Sequence, residues 1–401
     1  MEFHFPSAAQ PLTHQLNPIF DEIKTFKSRR AFQKSGLFRQ YSREIHRVEN
    51  GLEWENHYDG EAAPGEAIRV AAWNIERGIN LSGIIDTLAH NPVLARADVL
   101  LLTEVDIGMG RSGNFNIPRE IARRLKLNYC FANSFLVLAK GDEGEQSHEL
   151  ENTLSLHGTA ILSRHKMHAC IAPVLPAFKD YFGGLEKRLG RRRALICRIA
   201  IGGGLYDFAA GHLDLHSSPL QRAWQLQCIL RTLRASPAQG QIFGGDLNTH
   251  TYHLENKWRL FLSFLYKTVF LGIRAGIAHY MTPEVFFEKC VFDMFRRYGF
   301  DFKQLNDSSR ATLYYDIHEP TLRLKTRNHL LSGWMFDTAA RLLCPWNGRV
   351  PMRLDWLAAR RFRVLTQPCG EYGPPQVIDL PADRQPRISD HLPIVADVMP
   401  L

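Results

Sequence analysis

The sequence lacks several features that would assign it at once to a common class of protein. No two of its seven cysteines form a C-x-x-C pair, which argues against a zinc ribbon and against a thioredoxin-like redox motif. No apolar run reaches the ~20 residues that a bilayer span needs, so we expect no transmembrane segment. The first 20 residues contain no apolar signal-peptide core, and repeats and low-complexity tracts are absent. We therefore expect a reducing, cytoplasmic location.

A strong excess of one charge is also missing. Lys and Arg total 49 against 41 for Asp and Glu, which leaves a formal net charge of +8. This mild excess suits a polyanionic partner such as nucleic acid or an anionic lipid surface, but it distinguishes neither from an ordinary solvated surface. With 45% hydrophobic and 22% charged residues, the 401-residue chain has the composition of a globular protein with a large core.

The order of predicted elements indicates an α/β protein with two regions. Residues 1–66 form an N-terminal extension, partly helical, which either packs on the main domain or projects from it. From residue 67 to 401, apolar strand-like runs interleave with a smaller number of amphipathic helices. This pattern is typical of sheets layered between helices.

A helical insertion is predicted at about 250–345, where the alternating pattern stops. Trp258 to Ile273 is strongly apolar and is interrupted only by Arg259 and Lys267. We interpret it first as a buried helix, with a membrane-touching cap as the alternative. Its aromatic side chains serve either as the core of the insertion, as stacking platforms for unpaired bases or as a lipid-facing lid: Trp258, Phe261, Phe264, Tyr266 and Phe270.

Six short polar segments each lie at the end of a predicted strand, where α/β proteins usually place functional residues. In chain order they are Trp73–Glu76, Thr103–Asp106, Gly211–Asp214, Gly244–Asn248, Arg353–Trp356 and Ser389–Pro393. Carboxylate and amide oxygens are the ligands that Mg²⁺ and Mn²⁺ prefer, and an imidazole with a carboxylate behind it is an oriented general base. Together these groups suit metal-assisted attack of water on phosphorus.

Each segment alone has an ordinary structural explanation, such as a turn or a strand-end charge. Taken in order, however, WN, TEV, GHL, GDLN, RLDW and SDHLP resemble the endonuclease/exonuclease/phosphatase superfamily, also called deoxyribonuclease-I-like. The resemblance covers residues 67–401 apart from the insertion. It implies a four-layered α/β/β/α sandwich of two mixed sheets, to which the helical insertion and the N-terminal helical extension are added. It also implies a metal-dependent hydrolase acting on phosphoric esters.

The resemblance further implies roles for individual residues. Glu104 is the principal metal carboxylate, with Asn74 beside it and Asp390 as a further ligand of Mg²⁺ or Mn²⁺. His391 is the general base, or the electrostatic stabiliser, at the scissile phosphate, and Asp355 orients it.

Three more residues complete the catalytic set that the resemblance implies. Asp246 positions or deprotonates the attacking water, and Asn248 donates to a phosphate oxygen in the transition state. His212 lies near the leaving oxygen. Because every expected acid, amide and imidazole is present, a catalytically silent binding module is disfavoured.

Basic residues offer a less specific signal about the substrate. Lys187, Arg188 and Arg191–Arg193 crowd the approach to one strand, and either bind phosphate or form a solvated loop. From the basic residues we select Arg77, Arg111 and Arg193 as candidates for binding substrate phosphate. A nuclease is slightly favoured; the alternative is a phosphatase or phosphodiesterase acting on a phospholipid or inositol phosphate.

Overall fold

Two stacked β-sheets lie at the centre of the molecule. A computed structural model describes residues 11–63, 65–141, 149–184, 186–251, 257–318, 337, 340–381 and 387–401. The strands are β1 (Leu52–Glu55), β2 (Ile68–Arg77), β3 (Val99–Ile107), β4 (Asn128–Val137), β5 (Leu156–Ser163), β6 (Met167–Ile171), β7 (Arg188–Gly190), β8 (Leu195–Ile201), β9 (Gly204–Ala210), β10 (Gly240–Asp246), β11 (Leu313–Asp316), β12 (Arg349–Met352), β13 (Asp355–Arg360), β14 (Phe362–Val364), β15 (Gln376–Val377) and β16 (Ile394–Pro400).

The helices are α1 (Phe20–Thr25), α2 (Arg29–Gln33), α3 (Gly36–Glu49), α4 (Leu81–His90), α5 (Ile117–Leu125), α6 (Pro219–Arg234), α7 (Lys257–Leu265), α8 (Ile273–Met281) and α9 (Lys289–Tyr298). Several begin at a side-chain cap that the sequence supplies. The Ser218 hydroxyl, for example, accepts a bond from the backbone N–H of Gln221, and the Gln221 side chain bonds the Ser218 N–H in return.

The larger sheet has nine strands and the smaller has five. The order in the larger sheet is β1-β4-β5-β3-β2-β16-β14, with β15 beside β16 and β7 beside β4. The order in the smaller sheet is β13-β10-β9-β8-β6. Both sheets are mixed, because β2 pairs with β3 and β9 with β10 in parallel, whereas their other pairings are antiparallel.

Three apolar clusters separate the layers. One lies between the sheets, where Ile68, Val70 and Leu101 meet Phe208 and Ile242. A second packs α4, α5 and the N-terminal helices onto the outer face of the nine-stranded sheet. A third packs α6 and α9 onto the outer face of the five-stranded sheet. The predicted four-layered α/β/β/α sandwich is therefore confirmed.

The N-terminal extension packs on the main domain over the residues that the structure describes. Leu16, Ile23, Phe32 and Val48 are completely buried in the same cluster as the outer face of the larger sheet. The extension also supplies β1, which pairs antiparallel with β4 and lengthens that sheet. Residues 11–63 therefore complete the sandwich rather than project from it.

The predicted insertion contains helices α7, α8 and α9 and the short strand β11 in its described part. Residues 252–256, 319–336 and 338–339 lie outside the described residues. The aromatic-rich helix predicted from Glu284 is α9, which starts at Lys289 and packs against α6 as part of the outer layer. Strand β11 pairs antiparallel with β12, which follows the predicted insertion.

The interpretation of Trp258 to Ile273 as a buried helix is wrong. Helix α7 continues into one π-helical turn at Tyr266–Phe270, and most of its described apolar side chains face solvent. Trp258 and Phe270 are 75% and 76% exposed, whereas Leu260 is buried. The apolar composition suggested burial, but the apolar cluster on the outer face of the five-stranded sheet is formed by α6 and α9 and includes no residue of α7. Within the described residues, no helix combines the length and apolar character needed to cross a membrane.

Candidate active site

The predicted polar segments converge at one end of the two sheets. Strands β2 and β3 run parallel, so Asn74 and Thr103 are register partners and Glu104 follows directly. In the other sheet β10 ends opposite the start of β13, where Asp246 and Asp355 are register partners. His391 comes three residues before β16, which pairs antiparallel with β2. The candidate functional residues of both sheets thus lie at the same end of the sandwich.

Irregular backbone directs these side chains. The β2–β3 register shifts between Asn74 and Arg77, and the β3–β5 register shifts between Leu102 and Val105. Glu104 and Asn248 adopt φ of 52° and 50°, values that non-glycine residues rarely take. Bulges of this kind turn a side chain away from the regular alternation of a strand. Such strain persists where the surrounding structure holds it, as it does in active sites.

His391 and Asp355 form a buried pair. His391 Nδ1 lies 2.7 Å from Asp355 Oδ2, and both residues are at most 5% exposed. The indole N–H of Trp73 donates to the backbone oxygen of His391 at 2.9 Å, which holds the imidazole from behind. Burial lowers the pKa of His391, but the carboxylates of Asp355 and Asp390 outweigh it and raise that pKa well above its usual value.

Asp246 is the centre of a second set of contacts. Its Oδ2 lies 3.3 Å from Asn74 Nδ2, 3.4 Å from His212 Nε2 and 3.9 Å from His391 Nε2. Its Oδ1 accepts a 2.7 Å bond from the backbone N–H of Asn248. Burial, with the nearby Asp355 and Glu104, raises the pKa of Asp246 to about 7 despite the opposing effect of His391. A carboxyl of this kind can hold or release a proton near neutral pH.

A glycine allows the close approach that places Asp246 and His212 together. Gly245 has φ of +143°, and a Cβ atom there would lie 2.0 Å from the backbone oxygen of Gly211. Only glycine lets β10 pass this close to the segment that carries His212. Beyond Asp246, the Asn248 Nδ2 donates to Leu213 O at 2.8 Å and ties the two segments again.

Glu104 is a partly buried carboxylate held in its charged form. Burial would raise its pKa, but Arg77 and the imidazoles of His212, His157 and His391 lower it well below the usual value. Arg77 Nε is 3.8 Å from Glu104 Oε2. A permanently ionised carboxylate beside the Asn74 amide is a suitable pair of hard oxygen ligands for a divalent cation.

Asp390 lies at the edge of this group. Its backbone N–H donates to Glu76 Oε2 at 3.0 Å, and Arg387 Nε bonds the same oxygen at 3.0 Å. The sequence did not single out Arg387 or give Glu76 a role. Burial and the charge of Asp390 raise the pKa of Glu76, although Arg387 opposes them. Glu76 and Asp390 thus add two neighbouring carboxyl groups at the edge of the site.

The residues present fit a divalent cation. Asp246, Asp355 and His391 offer ligand atoms that all lie within 4.8 Å of one another. This set differs from the predicted ligands Glu104, Asn74 and Asp390. His391 and Asp355 already contact each other at 2.7 Å, and Glu104 and Asn74 lie outside this set. Asp355 Oδ1 is a buried oxygen with no hydrogen-bond partner among the described residues, which adds a further hard donor to the site.

Two of the three selected arginines lie away from this centre. Arg111 is buried and bonds Asp106 at 2.7 and 3.1 Å and Glu186 at 2.9 Å, so its guanidinium is already engaged by carboxylates. Arg193 donates to Ala172 O at 2.8 Å and to the side chain of Asn50. Their surroundings therefore give no support to a role in binding phosphate. Only Arg77 stands beside Glu104.

Arg192, the neighbour of the predicted phosphate-binding residue Arg193, lies closer to the site. Its Nη1 lies 3.4 Å from His212 O, and its charge interacts with Glu104. Neighbouring residues in extended chain point to opposite sides, so composition alone could not choose between Arg192 and Arg193. No role is predicted for His157 or Asp106 from the sequence; they form a 2.7 Å pair, and His157 interacts with the charge of Glu104.

A basic pocket of about 290 Å³ adjoins Arg192. Five cationic side chains line it against only two acids, Asp180 and Asp214; the five are Arg29, Lys179, Arg188, Arg191 and Arg192. Arg29 comes from α2 of the N-terminal extension. Burial and the charges of Arg188 and Arg192 lower the pKa of Lys179, although Asp214 opposes them. Such an excess of positive charge in a cavity suits an anionic group.

A sandwich of two mixed sheets with carboxylates, amides and a braced imidazole at one end defines a phosphoesterase-like class of site. The family model described as "Endonuclease/Exonuclease/phosphatase family" matches residues 71–391. The chain belongs to this family, whose members are metal-dependent hydrolases acting on phosphoester bonds, so the predicted enzyme class is confirmed. A search among curated proteins found no match.

Solved structures are similar to this chain at low sequence identity. A protein of the same family from Beutenbergia cavernae is 17% identical, covers 83% of this chain and 72% of its own, and gives a TM-score of 0.48. The human Nocturnin catalytic domain is 14% identical, with coverage of 88% and 97% and a TM-score of 0.45. A 3′-5′ exonuclease from Neisseria meningitidis is 15% identical, with coverage of 82% and 98% and a TM-score of 0.42.

Proposed function

We propose that the protein is a metal-dependent phosphodiesterase in which His391, braced by Asp355, acts at the scissile phosphate as the general base or, in its protonated form, as the electrostatic stabiliser. The 2.7 Å contact between His391 Nδ1 and Asp355 Oδ2 carries the proposal, because it joins two motifs 36 residues apart in a buried pair. With its Nδ1 proton donated to Asp355, the imidazole directs Nε2 toward Asp246. This is the arrangement in which a carboxylate selects the tautomer of a catalytic histidine.

Asp246 and its neighbours handle the attacking water and the phosphate oxygens. The Asp246 carboxyl is within 4 Å of both His212 Nε2 and His391 Nε2, so one water there would meet an acid and a base. Asn248 keeps one amide proton for substrate, since the other bonds Leu213 O. His212 lies near the same Asp246 oxygen, and we assign it a place beside the leaving oxygen.

Glu104 and Asn74, with Asp390 nearby, would hold Mg²⁺ or Mn²⁺. A cation bound there supplies charge that polarises a phosphoryl oxygen. The low pKa of Glu104 keeps this ligand ionised throughout the physiological range. Arg77, 3.8 Å from Glu104, would contact the same phosphate.

Nucleic acid is the substrate class that the charge of the cleft favours. The basic pocket beside Arg192 would receive a second phosphate next to the scissile one, and a polynucleotide carries such a phosphate at every step. The second candidate is a phospholipid or inositol phosphate. The apolar side chains that α7 exposes to solvent favour it, because they suit contact with a lipid surface.

A substrate panel with Mg²⁺ or Mn²⁺ tests the proposal. It compares single- and double-stranded DNA, RNA, a phosphoinositide and sphingomyelin, with Glu104→Gln as the blank. We expect metal-dependent hydrolysis of at least one substrate, and a loss of at least a hundred-fold in the variant because the neutral amide no longer holds the cation. Thermal melting checks that the variant remains folded. Wild-type turnover by Glu104→Gln, or no metal-dependent hydrolysis of any member, would refute the proposal.

A further inference from the structure

Helix α7 and the π-helical turn that follows it present apolar side chains to solvent at helical spacing. We call this set the outer apolar face: Trp258, Leu262, Leu265, Tyr266, Val269 and Phe270. Successive members, or adjacent pairs of members, are three or four residues apart. This spacing places them along one side of the helix. Trp258, Val269 and Phe270 are 75%, 65% and 76% exposed. A monomer rarely leaves so much contiguous apolar surface in water without a use for it.

Polar anchoring on the opposite side keeps this face outward. Lys267 is buried, and its Nζ donates to the backbone oxygen and the hydroxyl of Thr251, both at 2.6 Å. The same ammonium lies 5.1 Å from the ring centroid of Tyr280 and 4.6 Å from that of Phe287. Rotating the helix to bury Phe270 would break the hydrogen bonds of this buried amine, which is unfavourable.

The charge of this region has one sign. From Lys257 to Met281 the sequence contains no Asp or Glu, but it contains four Lys or Arg residues: Lys257, Arg259, Lys267 and Arg274. Arg259 and Arg274 are exposed beside the outer apolar face. A second copy of this chain placed on the face would bring these like charges together, whereas an anionic lipid surface complements them.

We propose that the outer apolar face binds the surface of an anionic membrane, with α7 lying in the plane of the lipid headgroups. Aromatic and aliphatic side chains on one face, with basic residues and no acids, form the pattern that seats a helix at this depth. Helix α7 is too short to span the bilayer. The interaction is therefore peripheral.

The same contacts connect this surface to the strand ends of the candidate active site. Thr251, which anchors Lys267, lies three residues after Asn248. Arg353 precedes Asp355 by two residues; its backbone N–H donates to Tyr280 O and its Nη1 to Met281 O, each at 3.2 Å. A membrane bound at α7 would therefore contact an insertion that is hydrogen-bonded to residues next to β10 and β13, the strands that carry Asp246 and Asp355.

Vesicle sedimentation tests the proposal without depending on catalysis. The full chain is mixed with vesicles of phosphatidylcholine alone or with a third phosphatidylglycerol. We expect pelleting with the anionic vesicles, weakened by salt, and at least a ten-fold loss of binding in Val269→Ser/Phe270→Ser. Phe115→Ser is the matched control, because Phe115 is a half-exposed phenylalanine outside this surface. It should bind as the wild type does.

Three results would overturn the proposal. These are failure of the wild type to pellet with anionic vesicles, wild-type binding by the double variant, and a wild-type dimer that the double variant turns into a monomer. An independent measurement is quenching of tryptophan emission by lipids brominated in the acyl chain. We expect quenching in the wild type and its loss in Trp258→Phe; equal quenching in both proteins would also overturn the proposal.

Discussion

The strand-end site and the outer apolar face are opposite in character. At the strand ends, ionisable groups such as Asp246 and His391 are buried. On α7, Val269 and Phe270 lie in water. Each arrangement is unfavourable for its side chains and is maintained by the elements around it. From this difference we infer two separate activities. Buried polar groups indicate catalysis at the strand ends, and exposed apolar groups indicate association with a partner at α7.

Replacing the imidazole should separate the two regions most strongly. We expect His391→Ala to lower kcat by about a thousand-fold, because loss of a general base typically costs 10²–10⁴-fold. Substrate binding and pelleting with anionic vesicles should be retained. Steady-state kinetics on the best substrate of the panel, together with sedimentation, measures both. Loss of vesicle binding in this variant would contradict the claim that catalysis and vesicle binding depend on separate regions.

The basic pocket offers a second test within the strand-end region. We expect Arg192→Ala to raise KM for a polyanionic substrate by about ten-fold and to flatten its dependence on salt, since one ionic contact is removed. Arg193→Ala is the matched control, because Arg193 bonds the backbone of Ala172 away from the cleft. Equal effects of the two substitutions would contradict the assignment of the pocket.

The smallest expected effect concerns stability and pH. Burial raises the pKa of Asp246 from 3.8 to about 7, so between these values the folded protein keeps a proton that the unfolded chain has lost. The folded state then binds more protons than the unfolded state, and this group makes stability fall as pH rises through that range. Urea unfolding of metal-free protein at pH 5 and pH 7.5 should show this fall in the wild type relative to Asp246→Asn. A wild-type-minus-variant difference that is equal at both pH values would contradict it.

Much of the fold and of the site could be predicted because a polar motif next to an apolar strand shows where in the sheet its residues lie. Asn74, Glu104, Asp246 and His391 each follow or precede an apolar strand, so their meeting at one end follows from the pairing of those strands. The pairing itself is set by burial of the strands between two helical layers.

Other features depend on contacts that no local pattern encodes. Arg111 and Arg192 have the same chemistry, but Arg111 is engaged by Asp106 and Glu186 whereas Arg192 reaches His212. Likewise, hydropathy does not distinguish a helix buried in the core from one that faces outward. Which side of α7 faces the core is decided by the anchoring of Lys267 on Thr251.

The most direct test of the account is the kcat of Asp355→Asn, measured on the best substrate of the panel with Mg²⁺ or Mn²⁺. Asp355 Oδ2 lies 2.7 Å from His391 Nδ1, so the amide would disturb the tautomer while it preserves the shape of the side chain. We expect a fall in kcat of about 10²–10⁴-fold with nearly unchanged KM and thermal midpoint. A variant that turns over at the wild-type rate would contradict it.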